Sequence, residues 1–256
     1  MTLLAADIVA KFYCFLWPLT RIAAALMTVP ILSIEAANAR IRIILAIMLT
    51  LLVFPLHDWP TIDPVSPQGL SALLHEISIG VVTGLTLQIV TAALVIAGQS
   101  ISTAMGLSMS NLLDPNLGNV PVLSQFLVIM GTMIFLGIGG PVMLISILLD
   151  SFTLVPVGQP LMELTVITNL LRWSSMMFLG ALLVSLPVVA SLLLINVGLG
   201  VVTRAAPSLN IFALGFPAMI IAGFLLLLMS MSGTANRIQW LWLQGFSQVR
   251  ALLGIG

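Results

Sequence analysis

Charged side chains are scarce in this sequence. Only 6% of its 256 residues are Asp, Glu, Lys or Arg, whereas about a quarter are charged in an ordinary soluble domain. Lys11 is the only lysine and the formal net charge is zero, so the chain lacks the basic surface with which proteins hold nucleic acid. We therefore expect no nucleic-acid partner.

The residues that carry most enzyme chemistry are also few. Cys14 is the only cysteine, which excludes an internal disulfide and a thiolate metal cage. His57 and His75 are the only histidines, and the sequence offers them no partner ligands for a metal. His57 lies in a polar loop, where we expect it to be solvated. We predict that the protein is not an enzyme and has no metal or cofactor.

Apolar residues, in contrast, make up 60% of the chain, and the mean hydropathy is +1.23. No ionisable residue occurs between residues 77 and 113, 115 and 149, 173 and 203, or 205 and 236. Each stretch exceeds the ~20 apolar residues with which a helix crosses a hydrocarbon core. We predict one all-α domain over residues 1–256, a polytopic membrane protein in contact with lipid.

About six long apolar helices account for this length, with predicted bounds of residues 8–32, 41–56, 70–105, 122–149, 170–202 and 211–231. We expect interruptions at Pro18 and Arg21, at residues 137–141 and at Pro187, which would bury the freed backbone groups against neighbouring subunits. After Gly233, polar residues alternate with Trp and Phe. This pattern predicts a short C-terminal amphipathic helix at an interface.

Three charges fall within or at the ends of apolar segments, namely Arg21, Glu76 and Arg204. Charges at such positions are costly and are therefore functional candidates. We expect Arg21 to face a carboxylate or a helix C-terminus in a partner, and Arg204 to cap carbonyls or to pair with a carboxylate. For Glu76, an interfacial position is the alternative.

Two segments, residues 106–121 and 203–217, combine turn formers with apolar residues. Met105 and Met109 stand at helical spacing before Asp114 and Pro115. Taken alone, a methionine pair is more often core filling, and an Asp-Pro step is usually a turn. Glycine spacings on the third helix, at Gly80, Gly84 and Gly98, would permit close helix contact.

At these loops the sequence resembles the flagellar biosynthetic protein FliR family, which includes the T-type export component of virulence type III secretion systems. The resemblance runs nearly end to end and is most specific from Arg204-Ala205-Ala206-Pro207 to Gly215-Phe216-Pro217. Further matching features are Arg21 with Pro30, Arg40-Ile41-Arg42, Glu76 to Gly80 with Gly84, Ala97-Gly98-Gln99, Met105 to Ser108, Asp114-Pro115, Pro121 with Gln125, Ser151-Phe152, Pro187, Asn210 and Phe212. Gly139-Gly140-Pro141 departs from the family pattern.

The resemblance implies one copy of the chain assembled with FliP and FliQ into a helical gate that exports unfolded flagellar substrates. The implied location is the bacterial inner membrane at the flagellar basal body, with FlhB and the membrane ring as further neighbours. Family architecture implies that residues 106–121 help to plug the closed channel, through Met105, Gly106, Met109, Leu112, Leu113, Asp114, Pro115 and Asn119. The expected assembly residues are Arg21, Glu76, Gly80, Gly84, Gly98, Arg204, Pro207, Asn210, Gly215 and Pro217.

Other functions remain open at this point. The same resemblance would be expected of an export-gate subunit from a virulence type III secretion system. An ion-coupled transporter would also contain discontinuous helices in its two halves, and residues 98–119 and 198–210 have a loosely similar order of glycine, polar residues, proline and asparagine. No second intramembrane acid is present to couple transport to an ion gradient. An intramembrane enzyme would need a reactive pair that the sequence does not supply.

The hydrophobic stretches predict stable membrane integration. The chain should stay in the membrane fraction through alkaline carbonate washing, because its apolar helices are buried in hydrocarbon rather than bound at the surface. Fractionation followed by immunoblotting measures this. Release of the chain into the soluble fraction would contradict the membrane assignment.

Overall fold

The regular structure of this chain is helical throughout the part that the computed structural model describes, which is residues 2–30, 38–107, 122–159, 164–205 and 211–254. The helices are α1 (Thr2–Thr28), α2 (Ala39–Val53), a 3₁₀ turn (Phe54–Leu56), α3 (Pro67–Ala104), α4 (Val122–Gly137), α5 (Gly140–Leu154), α6 (Leu164–Ser174), α7 (Met176–Ala205) and α8 (Ile211–Leu253).

Five helical segments are long and apolar enough to cross a membrane, and the interrupted pair α4 and α5 can provide a sixth. The five are Asp7–Thr28, Ala39–Leu56, Pro67–Ala104, Thr165–Val202 and Pro217–Leu253. The prediction of an all-α polytopic membrane protein with about six long helices is confirmed.

The break within residues 137–141 is where the sequence predicts it. Gly139 has φ of +75°, a left-handed conformation that a residue with a Cβ rarely adopts. Pro141 follows in the first turn of α5, where the missing N–H of proline costs nothing. Glycine and proline thus end one helix and begin the next.

The predicted interruptions at Pro18 and Pro187 are wrong, because α1 and α7 continue through both prolines. An internal proline removes one backbone hydrogen bond, to the carbonyl four residues before it, and costs a helix about 3 kcal/mol. Buried residues beside each proline, such as Trp17 on α1 and Val188 on α7, supply packing that outweighs this local cost.

The C-terminal amphipathic segment is part of α8 rather than a separate helix, since α8 runs for 43 residues without interruption at Gly233. Its apolar stripe is nonetheless real: Ile238, Trp242, Phe246 and Val249 are buried at helical spacing. The amphipathic pattern is therefore confirmed, whereas the prediction of a separate short helix is wrong.

Two compact units share the helices. The first contains Met1–Ile89, Gly139–Ser174 and Leu243–Gly256, and the second contains Val90–Ile138 and Ser175–Trp242. The prediction that residues 1–256 form a single domain stays a prediction.

Each unit has a packed interior of its own. In the first, the core includes Ile22, Leu26, Ala46, Val53 and Phe152. In the second, the rings of Phe135 and Trp242 meet edge to face at 4.8 Å, and Trp242 Nε1 donates to the Gly131 carbonyl at 3.0 Å. The indole therefore contributes apolar area and satisfies its one polar atom.

Helices α1 and α3 approach closely at two glycines of the first unit. A Cβ at Gly80 would overlap the Arg21 carbonyl and Ala24, and a Cβ at Gly84 would overlap the side chain of Thr28. The close contact expected from the glycine spacing is present, but it is made within the chain rather than with another subunit. Backbone proximity of this kind increases van der Waals packing between membrane helices.

Gly84→Ala should destabilise the protein, since the added methyl has no space and overpacking costs typically about 1–3 kcal/mol. Gly233 is the matched control, because its added methyl would have no neighbour within 4 Å, and alanine is the better helix former by about 0.5–1 kcal/mol. Thermal denaturation in detergent should give a lower midpoint for Gly84→Ala and an equal or higher one for Gly233→Ala. A Gly84→Ala midpoint at or above wild type would contradict the close contact.

Candidate functional site

Arg21 and Glu76 form an ion pair inside the first unit, with both side chains fully buried. Arg21 lies one turn after Pro18 in α1, and Glu76 lies in the N-terminal part of α3. The Arg21 Nε donates to Glu76 Oε2 at 2.7 Å, and Nη2 donates to Glu76 Oε1 at 2.9 Å. This bidentate arrangement is the strongest geometry available to an arginine and a carboxylate.

The remaining N–H groups of Arg21 reach the C-terminus of α5. Nη1 donates to the Ser151 carbonyl at 2.8 Å and to Ser151 Oγ at 3.0 Å, while Nη2 also donates to the Val155 carbonyl at 2.9 Å. A guanidinium has five N–H donors, and all five have acceptors here. We call Arg21, Glu76, Ser151 and Val155 the Arg21 network.

Two features stabilise the buried positive charge. The Glu76 carboxylate neutralises it, and the last carbonyls of α5 present the negative end of the helix dipole to it. Ser151 Oγ completes its own bonding by donating to the Leu148 carbonyl at 2.6 Å. The network thus joins α1, α3 and α5 without leaving a donor of the guanidinium unsatisfied.

An aromatic cluster covers the guanidinium. The Cζ atom of Arg21 lies 4.3 Å from the centroid of the Phe152 ring, a cation–π distance. Trp59 meets Phe152 edge to face at 5.1 Å, and His57 lies 5.7 Å from Trp59 between ring centroids. Trp59 Nε1 donates to the Phe54 carbonyl at 2.8 Å. The loop after α2 is therefore packed against α5.

These contacts correct two expectations. Arg21 does find both a carboxylate and a helix C-terminus, but both belong to this chain and not to a partner. Glu76 is buried in an ion pair, so the interfacial alternative is wrong. His57, expected to be solvated, is partly buried among aromatic rings, and its Nδ1 makes no hydrogen bond in the part of the chain that the structure describes.

The predicted closure residues are only partly within the described structure. Met105 is fully buried and packs on Gly223 of α8, while Gly106 has φ of +80° and turns the chain away from α3. Met109, Leu112, Leu113, Asp114, Pro115 and Asn119 lie outside the described residues, so their role stays a prediction.

The predicted assembly residues fall into three places. Arg21, Glu76, Gly80 and Gly84 come together on α1 and α3 in the first unit, and in the second unit Gly98 lies against the backbone of Ser124. Arg204 is exposed in the last turn of α7, where its charge suits the helix dipole. Gly215 is partly buried and Pro217 exposed near the start of α8. Pro207 and Asn210 lie outside the described residues.

In the part of the chain that the structure describes, no group of three or more His, Cys, Asp and Glu side chains could hold a metal ion. The buried polar residues that do come together are an arginine, a carboxylate already engaged by it, and carbonyl or hydroxyl acceptors. This set binds helices to one another, and it contains no nucleophile with a base beside it.

The sequence matches the family model described as bacterial export proteins, family 1, over residues 12–245. It is 36% identical to the flagellar biosynthetic protein FliR of Pectobacterium carotovorum subsp. carotovorum over 214 residues, 83% of this chain and 82% of the relative. The FliR of Escherichia coli (strain K12) is 34% identical with the same coverage, and that of Bacillus subtilis (strain 168) is 31% identical over 88% of this chain and 89% of the relative. The chain belongs to the FliR family of bacterial export proteins. It is thus a multi-pass membrane protein of flagellar biosynthesis and export.

Sequence reasoning about this FliR-family chain missed the acceptors on α5. Ser151 and Phe152 belong to the residues that carry the family resemblance, but neither had a predicted role. The usable signal was the end of the apolar run at Asp150 and Ser151, which places a helix C-terminus there. A buried arginine needs acceptors, and a helix end is where free carbonyls occur.

Breaking the Arg21 network should be strongly destabilising. Arg21→Met leaves the buried Glu76 carboxylate and the Val155 carbonyl without the donors that Arg21 supplied, and loss of one partner of a buried pair costs about 3–5 kcal/mol. Arg250→Met is the control, because Arg250 is exposed near the end of α8. Thermal denaturation in detergent should separate the two variants clearly.

Adding Glu76→Met to Arg21→Met should restore part of the lost stability, since no carboxylate then remains unpaired. The recovery should be incomplete, because the Val155 carbonyl still lacks the donor that Arg21 supplied and the cation–π contact with Phe152 is lost. Equal stability of Arg21→Met and Arg250→Met would contradict a structural role for the network.

Proposed function

We propose that this chain is a non-enzymatic structural subunit of the flagellar protein export gate in the bacterial inner membrane. It forms part of the channel through which unfolded flagellar substrates pass, in an assembly with FliP and FliQ and beside FlhB and the basal-body membrane ring. The observation that carries the proposal is the match to the bacterial export family over residues 12–245. The relatives from Pectobacterium carotovorum and Escherichia coli are both named flagellar biosynthetic proteins, which favours a flagellar over a virulence-type gate.

The distribution of apolar surface supports an assembled subunit. On α7, large side chains are exposed along the whole helix, among them Phe178, Leu182, Leu194 and Val201. In water such a surface would aggregate, so lipid or other subunits must cover it. A chain that assembles with other membrane subunits requires faces of this kind.

The Arg21 network argues against an ion-coupled transporter. In such a protein an intramembrane acid takes up and releases the coupling ion. Both oxygens of Glu76 are engaged by Arg21, and Arg21 cannot lose its charge. The pair therefore supports a fixed scaffold rather than a site that exchanges a cation on each cycle.

We further propose that residues 106–121 close the resting channel. This segment carries only one charge, Asp114, although loops in water are usually more polar. Apolar Met109, Leu112 and Leu113 would exclude water from a constriction, and the flexible methionine would repack around a passing chain. Its asparagines would satisfy the backbone groups of the turns.

Deleting residues 107–119 should make cells with the assembled gate leak small ions and solutes. Replacing the same residues with a Gly/Ser linker of equal length should also cause a leak, because the linker retains the length but not the apolar side chains. Val65→Ser is the control for a general disturbance, since Val65 is a highly exposed loop residue outside this segment. Conductance or dye uptake measures the leak, and recovery of the complex reports assembly. An assembled deletion variant as tight as wild type would disprove the closure role.

A further inference from the structure

Met105 occupies a notch on α8 that only a glycine provides. Its side chain is fully buried, and a Cβ built at Gly223 would lie 2.5 Å from Met105 Cγ, 2.6 Å from Cε and 2.8 Å from Sδ. Every atom of the methionine beyond Cβ thus rests on the bare backbone of Gly223. Met105 was predicted to be part of the closure segment, yet the structure places it inside the second unit.

The buried stripe of α8 shows why this position is special. Met219, Gly223 and Leu227 are buried at intervals of four residues, so they line one face of the helix. The residues before and after Gly223 in this stripe have large side chains, and Gly223 alone leaves room for a side chain from another helix. The long side chain of Met105 therefore occupies the space that the absence of a side chain at Gly223 leaves.

The end of α3 is held at several points in the second unit. Ala93 packs against Gly180 of α7, and Ser124 of α4 packs against Gly98 and donates its Oγ to the Val95 carbonyl at 2.8 Å. Met105 on Gly223 is the last of these contacts along the chain. Its N–H still bonds to the Ile101 carbonyl at 2.9 Å, so its backbone continues the geometry of α3.

The chain changes direction immediately after this contact. Gly106 has φ of +80°, and its N–H donates to the Thr103 carbonyl at 3.0 Å. A left-handed glycine directly after a helix is a common way to stop it. The position of Met105 therefore fixes the point from which the following segment leaves α3.

We propose that Met105 is a positioning residue, whose insertion into the Gly223 notch fixes the end of α3 on α8 and so sets where the chain leaves α3 at Gly106 and Leu107. The consequence for channel closure rests on the proposed function. Met105 acts from inside the protein, through the segment that follows it, and does not itself face the channel.

The contact is tested first, without any functional readout. A Cβ built at Gly223 lies 2.5 Å from Met105 Cγ, and Met105 Cγ is bonded to Met105 Cβ at about 1.5 Å. The Cβ atoms of the two residues are therefore at most about 4 Å apart, a separation that disulfides accept. In a Cys14→Ser background, the pair Met105→Cys and Gly223→Cys should oxidise readily in native membranes. Met105→Cys with Phe224→Cys is the control, since Phe224 is about half exposed and lies about 100° around α8.

Linked peptides are quantified by mass spectrometry. We expect the Gly223 pair to be linked in most assembled chains and the Phe224 pair in few. Equal linking of both pairs, or none in the Gly223 pair, would overturn the contact itself. This outcome does not depend on what the protein does in the cell.

The positioning role is tested by a double-mutant cycle on the leak. Gly223→Ala should raise the leak of the assembled gate at least about twofold, because the methyl displaces Met105. In a Met105→Ala background the same change should have almost no further effect, since Cγ, Sδ and Cε are gone. Coupling of this kind distinguishes residues in contact from independent ones.

Additive effects of the two substitutions, or no change in leak with Gly223→Ala, would overturn the positioning role even if the cysteines link. If deletion of residues 107–119 leaves the gate tight, it is the closure function that fails. The linking experiment then still decides whether Met105 occupies the notch.

Discussion

The first unit depends on a buried guanidinium whose five donors all have acceptors. Arg21 is costly in an apolar interior, so its position is acceptable only while Glu76 and the end of α5 are both in place. Three helices from distant parts of the sequence are thereby fixed together. Lysine could not replace arginine, because an ammonium has three donors and no planar fork for a carboxylate.

Sequence patterns predicted the class of fold because hydrocarbon imposes strict requirements. Helix length, the scarcity of charge and the break at residues 137–141 all follow from the need to satisfy backbone groups without water. Pro18, Pro187 and Gly233 misled for the opposite reason: a proline costs a helix only about 3 kcal/mol and a glycine about 1 kcal/mol, and packing along α1, α7 and α8 outweighs these local costs. Local signals were reliable only where glycine and proline acted together.

The types of group that surround Arg21 could be predicted from the sequence, but the residues that provide them could not. Arg21 needed a carboxylate and a helix end, and sequence alone could not reveal that both belong to the same chain, because they lie 55 and 130 residues away. The notch at Gly223 could not be predicted from the sequence for a similar reason. A glycine in an apolar helix has many explanations, and only the methionine resting on it shows which one applies.

The length of α8 has a consequence for the surrounding lipid. Its candidate membrane span, Pro217–Leu253, has 37 residues and is therefore about 55 Å long, nearly twice the ~30 Å of a hydrocarbon core. The part before Asn236 carries no charge, whereas Arg237 and Arg250 lie in the part that follows. Even at the largest usual tilt of about 40°, a helix of this length extends beyond the core, and the segment that carries the two arginines suits the headgroup region or a protein neighbour.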